Sequence, residues 1–132
     1  MDALPGEEYC YWHKEVDGKT PTEEQLQDLK EKEEKVRDVY LEKAELSQAN
    51  LQKAWLMDAN LQEAHLEMAN LQEAKLLGTN LQEAHLEMAN LKGAYLVEAN
   101  LKGANLGRAN LQEAKLLGPV QTFVSPDSDR LL

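Results

Sequence analysis

Cysteine, proline, aromatic and β-branched residues are all scarce in this 132-residue chain. The single cysteine, Cys10, excludes an intrachain disulfide, so stability must come from packing. No apolar run approaches the roughly 20 residues that a membrane span needs. The start of the sequence, Met-Asp-Ala-Leu-Pro-Gly, has neither the basic nor the apolar region of a signal peptide. We therefore expect a cytoplasmic protein.

Basic residues are also too few to balance the acidic ones, and the net charge is -10. An acidic surface repels phosphate groups and anionic lipids, which argues against direct binding to nucleic acid or membrane. Motifs of catalysis are missing too, because Ser47 is the only serine in the repeats described below and no Gly-rich phosphate loop occurs. We expect a protein that is not an enzyme and that has no cofactor.

The chain does contain a long run of five-residue repeats. From Ala44 onward, 15 consecutive units share one frame, with Leu at every centre from Leu46 to Leu116 and Ala two positions earlier except at Thr79. One further unit, Val39 to Lys43, precedes them. The composition favours helix, but five residues advance an α-helix by about 500°, which would scatter the leucines around its axis. An odd period would likewise alternate them between the two faces of a strand.

A backbone that turns within every unit resolves this conflict, because the Ala and the central Leu can then both point inward. The segment AHLEMANL occurs at 64–71 and again at 84–91, which is a spacing of 20 residues. Four units therefore make one coil, and residues 39–118 make four coils. Glycine stands at the last position of the units that end at Gly78, Gly93, Gly103 and Gly118, where a turn requires unusual dihedral angles.

These units, for example ANLQE and ANLKG, resemble the A(D/N)LXX motif of the pentapeptide-repeat family over about 60% of the chain. The resemblance implies an all-β solenoid, a right-handed quadrilateral β-helix, and it implies an interaction or scaffold role. This chain departs from the family in one respect, since family members often place Phe at some centres and this chain uses Leu at all of them. We interpret the departure as a narrower or more uniform core.

Four segments follow from this pattern: an N-terminal arm (1–19), a capping helix (20–38), the solenoid (39–118) and a C-terminal cap and tail (119–132). The ends of stacked coils need cover, since they expose apolar surface and unpaired backbone groups. Thr20 at the N-cap, Pro21 in the first turn and Glu23 in a capping box predict a helix that runs to about Arg37. Its sparse apolar stripe favours packing on the first coil over a free coiled coil. The stripe is predicted to comprise Leu26, Leu29, Val36 and Tyr40. At the other end, Pro119 is predicted to end the repeats, and Val120, Phe123 and Val124 are predicted to cover the last coil.

The arm contains the cluster Tyr9, Cys10, Tyr11, Trp12 and His13. Cys10 and His13 have the spacing of half a zinc site, but no second cysteine completes it. We therefore expect the aromatic side chains to pin the arm onto the solenoid.

Alignment at 20-residue spacing predicts which outward side chains stack on each of four faces. Two faces carry ladders of Asn with Gln or Lys, for which we expect a structural role. The third face is apolar, with aromatic and lysine residues alternating beside the apolar column as cation-π neighbours. A second copy of the chain, another protein or the arm itself could cover it. The predicted interaction residues are Trp55, Met57, Leu77, Tyr95, Val97 and Leu117.

The fourth face repeats His65 and Glu67 as His85 and Glu87, about 5 Å apart on neighbouring coils. Two imidazoles and two carboxylates can ligate a divalent metal. Because the sequence shows no concave pocket or supporting shell, we expect a hydrated polar face and no metal site.

The predicted function is a non-catalytic interaction or scaffold module that acts through the apolar face, with a protein partner or a homodimer. The alternative comes from the family resemblance, since some pentapeptide-repeat proteins mimic DNA and bind DNA gyrase. Mimicry requires a dense anionic rod, whereas residues 39–118 carry 10 acidic and 7 basic side chains.

Overall fold

The structure, a computed structural model, describes residues 11–31 and 37–116 of the chain. It consists of one α-helix, α1 (Glu23–Glu31), and a stack of coils. Twelve parallel bridges join outward residues that lie 20 positions apart, from Tyr40 and Asn60 to Tyr95 and Lys115. Each bridge involves a single residue per unit, so the described stack contains no longer strand. The predicted coil of four units is confirmed.

The interior of the stack is lined by the two repeated apolar positions. The central leucines from Leu41 to Leu111 are at most 1% exposed, and the alanines two positions before them are at most 8% exposed. Thr79 takes the place of one alanine and is fully buried. Its hydroxyl donates to the carbonyl of Leu56 at 2.7 Å, so this buried polar group is satisfied. The predicted inward positions are thus confirmed in the described units.

Every described unit turns in the same way. The amide of the Ala position donates to the carbonyl of the Leu three residues earlier, as from Ala64 to Leu61 at 3.0 Å. The last residue of each unit has a positive φ, which is the mark of a type II turn. Gly78, Gly93 and Gly103 adopt it as predicted, whereas Gly118 lies outside the described residues. At Gly103 a Cβ atom would also approach the Glu83 Cγ to 3.0 Å.

Most of these left-handed positions are not glycine. Thirteen other residues have φ between 57° and 61°, among them Met68 and Met88. A left-handed L-residue costs about 1–2 kcal/mol. The cost is offset by hydrogen bonds between neighbouring coils. The Leu71 amide donates to the carbonyl of Asn90 at 2.7 Å, and the Asn90 amide donates to the carbonyl of Ala69 at 2.9 Å. The ladder of coils therefore enforces a turn that the sequence alone does not favour.

The asparagines support both the turn and the ladder. The Asn90 Oδ1 accepts from the amide of Lys92 at 3.1 Å, an Asx turn that recurs at seven other asparagines of the stack. The Asn90 Nδ2 donates to the Gln72 Oε1 of the preceding coil at 3.4 Å, and Asn80 makes the same bond to Gln62. The predicted amide bonds along the ladder are confirmed, and the Asx turn is an additional role.

Asn90→Ala is therefore expected to lower the free energy of unfolding by about 1 kcal/mol, because the Lys92 amide loses its acceptor. Asn90→Asp keeps that acceptor and is expected to change stability by no more than about 0.5 kcal/mol. Urea unfolding followed by circular dichroism measures both. Equal losses in the two variants would contradict the assignment of the main role to the Oδ1 atom.

Residues 11–31 lie against the first coil and extend its hydrogen-bond ladder. Three amides of the first coil donate to carbonyls of residues 11–31: the Tyr40 amide to Trp12 at 2.7 Å, the Glu45 amide to Lys19 at 2.8 Å and the Trp55 amide to Leu29 at 2.7 Å. Trp12 and Leu29 are 2% and 0% exposed. The prediction that arm aromatics pin the arm to the solenoid is confirmed for Trp12, while Tyr9 and Cys10 lie outside the described residues.

The helix begins later than predicted. The Thr22 Oγ1 accepts from the Gln25 amide at 3.2 Å, and the Gln25 Oε1 accepts from the Thr22 amide at 2.9 Å. This capping box replaces the predicted one at Thr20, and it places two glutamates in the first turn, where the helix dipole favours them. Leu26 and Leu29 are buried as predicted.

Tyr40 does not belong to the helix but is the first bridging residue of the stack. Its unit begins at Val39, which is fully buried, so the chain has already entered the coil pattern there. The predicted helical end at Arg37 is wrong, because Arg37 and Asp38 form a turn in which Asp38 has a φ of 58°. Several other predictions lie outside the described residues: the helix over 32–36 with Val36, the stop at Pro119, and the cover by Val120, Phe123 and Val124. Within residues 11–31 and 37–116, no helix has both the length and the apolarity that crossing a membrane requires.

Candidate functional site

The apolar face is the surface that carries Trp55, Met57, Leu77, Tyr95 and Val97 on three successive coils; the sixth predicted residue, Leu117, lies outside the described residues. Bridges join Trp55 to Lys75, Lys75 to Tyr95 and Tyr95 to Lys115, so these side chains form one column as predicted. Met57, Leu77 and Val97 lie two residues after Trp55, Lys75 and Tyr95, respectively.

The predicted cation-π contacts are confirmed on this face. The Lys75 Nζ lies 4.7 Å from the ring centroid of Trp55, and the Lys115 Nζ lies 4.6 Å from that of Tyr95. Each ammonium group shields one face of an aromatic ring, so the rings are half-buried rather than open. Leu77, at 37%, is the most exposed of the five apolar side chains.

The described part of the arm lies elsewhere. Gly18 donates to the Glu42 carbonyl at 2.9 Å, and the Lys19 Nζ donates to the Tyr40 carbonyl at 2.7 Å. Lys19 is 7% exposed, and its ammonium group lies 5.5 Å and 5.4 Å from the ring centroids of Tyr11 and Tyr40. These contacts place residues 11–19 at the end of the stack, next to the first residues of two columns, Tyr40 and Glu45.

The histidine face, formed by His65, Glu67, His85 and Glu87, is opposite the apolar face in the order of the coil. The His65 and His85 rings stack with a centroid distance of 4.8 Å and an interplanar angle of 6°. This spacing confirms the predicted separation of about 5 Å. The His65 Nδ1 lies 3.4 Å from the Glu67 Oε1, and the His85 Nδ1 lies 3.9 Å from the Glu87 Oε1.

Hydrogen bonds tune the carboxylates of this face. Burial opposes ionisation of Glu67, but hydrogen bonds from its own amide and from the Ser47 hydroxyl, together with His65, outweigh burial and lower its pKa. The Ser47 Oγ donates to the Glu67 Oε2 at 2.9 Å. Hydrogen bonds from Ser47 also lower the pKa of Glu45.

The histidine face contains an open groove that the sequence did not indicate. A groove of about 640 Å³ runs beside the two imidazoles. It is lined by Lys43, Glu63, His65, Glu83, His85 and Gly103. The carboxylates of Glu63 and Glu83 reach it because they occupy the last position of the units that precede the histidines, where the backbone turns.

The exposure of two methionines beside this face was not predicted. Met68 and Met88 are 52% and 51% exposed, more than Leu77 on the apolar face. Both occupy the last position of a unit, with φ of 59° and 61°. The signal was present in the sequence, because the last position always points outward at a turn and the two residues are 20 apart.

The family assignment follows from the repeats. The family model described as pentapeptide repeats matches residues 35–62, 56–93 and 89–118, with eight copies. The chain belongs to the pentapeptide repeat family. Proteins of this family form right-handed β-helices, and they are generally structural or interaction modules without enzymatic activity.

Solved pentapeptide repeat proteins are similar to this chain. One from the cyanobacterium Cyanothece 51142 is 36% identical, with 74% of this chain and 58% of that chain covered and a TM-score of 0.35. HetL from Nostoc sp. strain PCC 7120, involved in regulation of heterocyst differentiation, is 27% identical over 58% of this chain and 49% of its own, with a TM-score of 0.28. A further protein from Nostoc PCC 7120 is 32% identical over 79% of both chains, with a TM-score of 0.38.

The pentapeptide repeat chain thus spans 58% and 49% of the length of the first two solved relatives. Among curated proteins none matches the sequence.

Proposed function

We propose that this pentapeptide repeat chain is a non-catalytic interaction module and that the apolar face is its contact surface. The observation that carries the proposal is the alignment of five apolar or aromatic side chains on one face of three successive coils, in the register that the bridges fix. Monomeric proteins rarely present contiguous apolar patches without an interaction to make. The other described faces carry mainly amides, carboxylates and imidazoles, apart from Met68 and Met88 at the corner beside the histidine face.

The partner that we propose for the apolar face is a second copy of the chain. Two copies related by a twofold axis would bring the same face together, and the Lys75 and Lys115 ammonium groups would border the contact. Three coils at about 4.8 Å spacing span only about 10 Å along the stack. Such a patch is much smaller than the roughly 800 Å² per partner of a standard interface. We therefore expect weak, concentration-dependent self-association.

Light scattering across concentration tests this proposal with the double variant Leu77→Lys, Val97→Lys. The two lysines would place like charges in the contact, so the variant is expected to stay monomeric where the unmodified chain associates. The matched control is Gln72→Lys, Gln82→Lys, which adds the same charges on the two amide faces. Lys92 and Lys102 already occupy the equivalent positions there, so the control is expected to associate like the unmodified chain. Loss of association in both variants, or in neither, would contradict the proposed surface.

We further propose that residues 11–31 act as the N-terminal cap of the stack. Support comes from the three first-coil amides of Tyr40, Glu45 and Trp55, which would otherwise end the ladder without acceptors. Trp12 and Leu29 join the same buried cluster as the central leucines. A capped end discourages end-to-end stacking, which leaves the lateral faces for specific contacts.

The alternative, DNA mimicry, is less well supported by the charge pattern. Several carboxylates of the stack are paired with cations, at 2.6 Å for Arg37 and Asp58, 3.9 Å for Lys43 and Glu63, and 3.7 Å for Lys53 and Glu73. These pairs reduce the anionic field along three of the four corners. The interaction module is therefore the better account of the surface.

A further inference from the structure

We propose that the histidine face binds one divalent transition-metal ion through His65, His85 and Glu67, independently of the apolar face on the opposite side. The ligand atoms of these three residues all lie within 4.8 Å of one another. The three ligand atoms are therefore close enough to share one ion once the side chains reorient.

Binding requires the two imidazoles to tilt towards each other, because each nitrogen lone pair lies in the plane of its ring and the two rings are nearly parallel. Metal–nitrogen distances of about 2.0–2.1 Å place two nitrogens on one ion roughly 3–4 Å apart. The parallel imidazoles, with centroids 4.8 Å apart, are fixed in register by the bridge between His65 and His85. Their side chains are 43% exposed and that of Glu67 is 33% exposed, so an ion can reach all three from solvent.

The surrounding charge favours a cation. Glu63 and Glu83 line the groove on one side of the imidazoles, and Glu67 and Glu87 lie on the other. Lys43 stands at the first-coil end of the groove and pairs with Glu63 at 3.9 Å. Glu45, the bridge partner of His65, adds a fifth carboxylate, so the two imidazoles lie among five carboxylates and one ammonium group. A bound divalent ion would reduce the repulsion within this cluster.

One carboxylate atom also lacks a partner. The Glu87 Oε2 is buried and accepts no hydrogen bond among the described residues, whereas its Oε1 accepts from the Asn105 Nδ2 at 2.8 Å. A buried acceptor without a partner costs free energy. A cation between the imidazoles and Glu87 would supply the missing electrostatic partner, which places Glu87 in a supporting position behind the three ligands.

The sequence concentrates this chemistry in two coils. The segment NLQEAHLEMANL occurs at 60–71 and again at 80–91, whereas the same column carries Glu45 in the first coil and Asn105 in the last. Imidazole with carboxylate suits Zn²⁺, Cu²⁺ and Ni²⁺, while Mg²⁺ and Ca²⁺ prefer oxygen ligands alone. The site is therefore expected to discriminate between these two groups of ions.

Isothermal titration of the full chain with Zn²⁺ tests the site. All proteins carry Cys10→Ser, because Cys10 and His13 have ligand spacing of their own. We expect one ion per chain, little competition from excess Mg²⁺, and an affinity at least about tenfold weaker in His65→Asn, in His85→Asn and in Glu67→Gln. Asn105 shows that asparagine is accommodated in this column. His13→Asn is the matched control and is expected to leave the affinity unchanged.

Nuclear magnetic resonance of the ring nitrogens gives a second readout on the protein without changes to its histidines. Added Zn²⁺ is expected to shift the signals of His65 and His85 together and to leave that of His13 in place. The proposal is overturned if Zn²⁺ does not bind, if binding is equally strong in the His65→Asn and His85→Asn variants, or if the His13 signal responds in place of the other two.

Discussion

Trp12→Ala is expected to lower the free energy of unfolding by about 3–5 kcal/mol, although Trp12 lies outside the repeats. The indole is 2% exposed and belongs to the buried cluster of the stack. It also makes an edge-to-face contact with Tyr11, with ring centroids 5.0 Å apart at an angle of 84°. Removing the ring leaves a cavity at the first coil, where Lys19 and Tyr40 are held by backbone bonds and cannot fully close it.

The same change is expected to weaken the contact between residues 11–19 and the first coil. Opening of that contact would release the carbonyl of Trp12 from the Tyr40 amide and free the end of the ladder. Exposed ladder ends associate with one another. The variant should therefore also gain a tendency to associate end to end, which Leu77→Lys and Val97→Lys would not suppress because those residues lie on a lateral face.

Urea unfolding and light scattering measure these two consequences of Trp12→Ala. Trp55→Ala is the matched control, since Trp55 is half-buried and its ring lies under the Lys75 ammonium group. We expect a clearly smaller loss of stability for Trp55→Ala and no end-to-end association. A loss at Trp12 no larger than at Trp55 would show that residues 11–31 contribute little to the stack.

The interior of the solenoid was predictable from the sequence because period is a stronger constraint than propensity. Leu at every fifth position cannot be buried by a straight helix or strand, and the recurrence of AHLEMANL fixes the length of one coil. Those two facts predict which outward side chains stack in one column. The bridges confirm the column that consists of Trp55, Lys75, Tyr95 and Lys115. Residue placement on the faces is therefore a direct consequence of the repeat.

The backbone of the turns was only partly predictable. Glycine marks the left-handed position at Gly78, Gly93 and Gly103, but Met68, Glu98 and Arg108 adopt it equally. No local signal distinguishes these residues, because the dihedral angle is imposed by hydrogen bonds to the coils on either side. The exposure of Met68 and Met88, by contrast, follows from the repeat itself, because the last position of every unit points outward.

The end of the stack was the hardest part to predict, because it has no repeat. Lys19 looks like any other lysine of the charged N-terminal region, yet its ammonium group is buried and donates to carbonyls of Lys14 and Tyr40. Two capping boxes fit the sequence around Pro21, and only the contacts of Thr22 and Gln25 decide between them. For the histidine face, the sequence predicted the spacing of the rings. The groove was not predicted, because it depends on how the backbone turns at Glu63 and Glu83.

Leu71→Ala is expected to cost about 3–5 kcal/mol, near the upper part of the range for buried leucines. Leu71 is fully buried at the centre of its unit, and equivalent leucines of the same column, Leu51 and Leu91, lie in the coils before and after it. The cavity cannot collapse along the stack, because the Leu71 amide is held by Asn90 at 2.7 Å and the Leu51 amide by Asn70 at 2.8 Å. Both neighbouring leucines therefore lose a contact that nothing replaces.

Urea unfolding followed by circular dichroism measures the cost and also shows whether the stack stays cooperative. A lower midpoint with an unchanged slope means that the coils still unfold together, whereas two transitions mean that the cavity has uncoupled the halves on either side of Leu71. Leu71→Met conserves volume and is expected to cost less than about 1.5 kcal/mol, and the outward change Gln82→Ala is expected to stay within about 0.5 kcal/mol. A loss for Leu71→Ala no larger than for Leu71→Met would mean that the coils can close on the cavity, and the hydrogen-bond ladder would then not be the element that fixes their spacing.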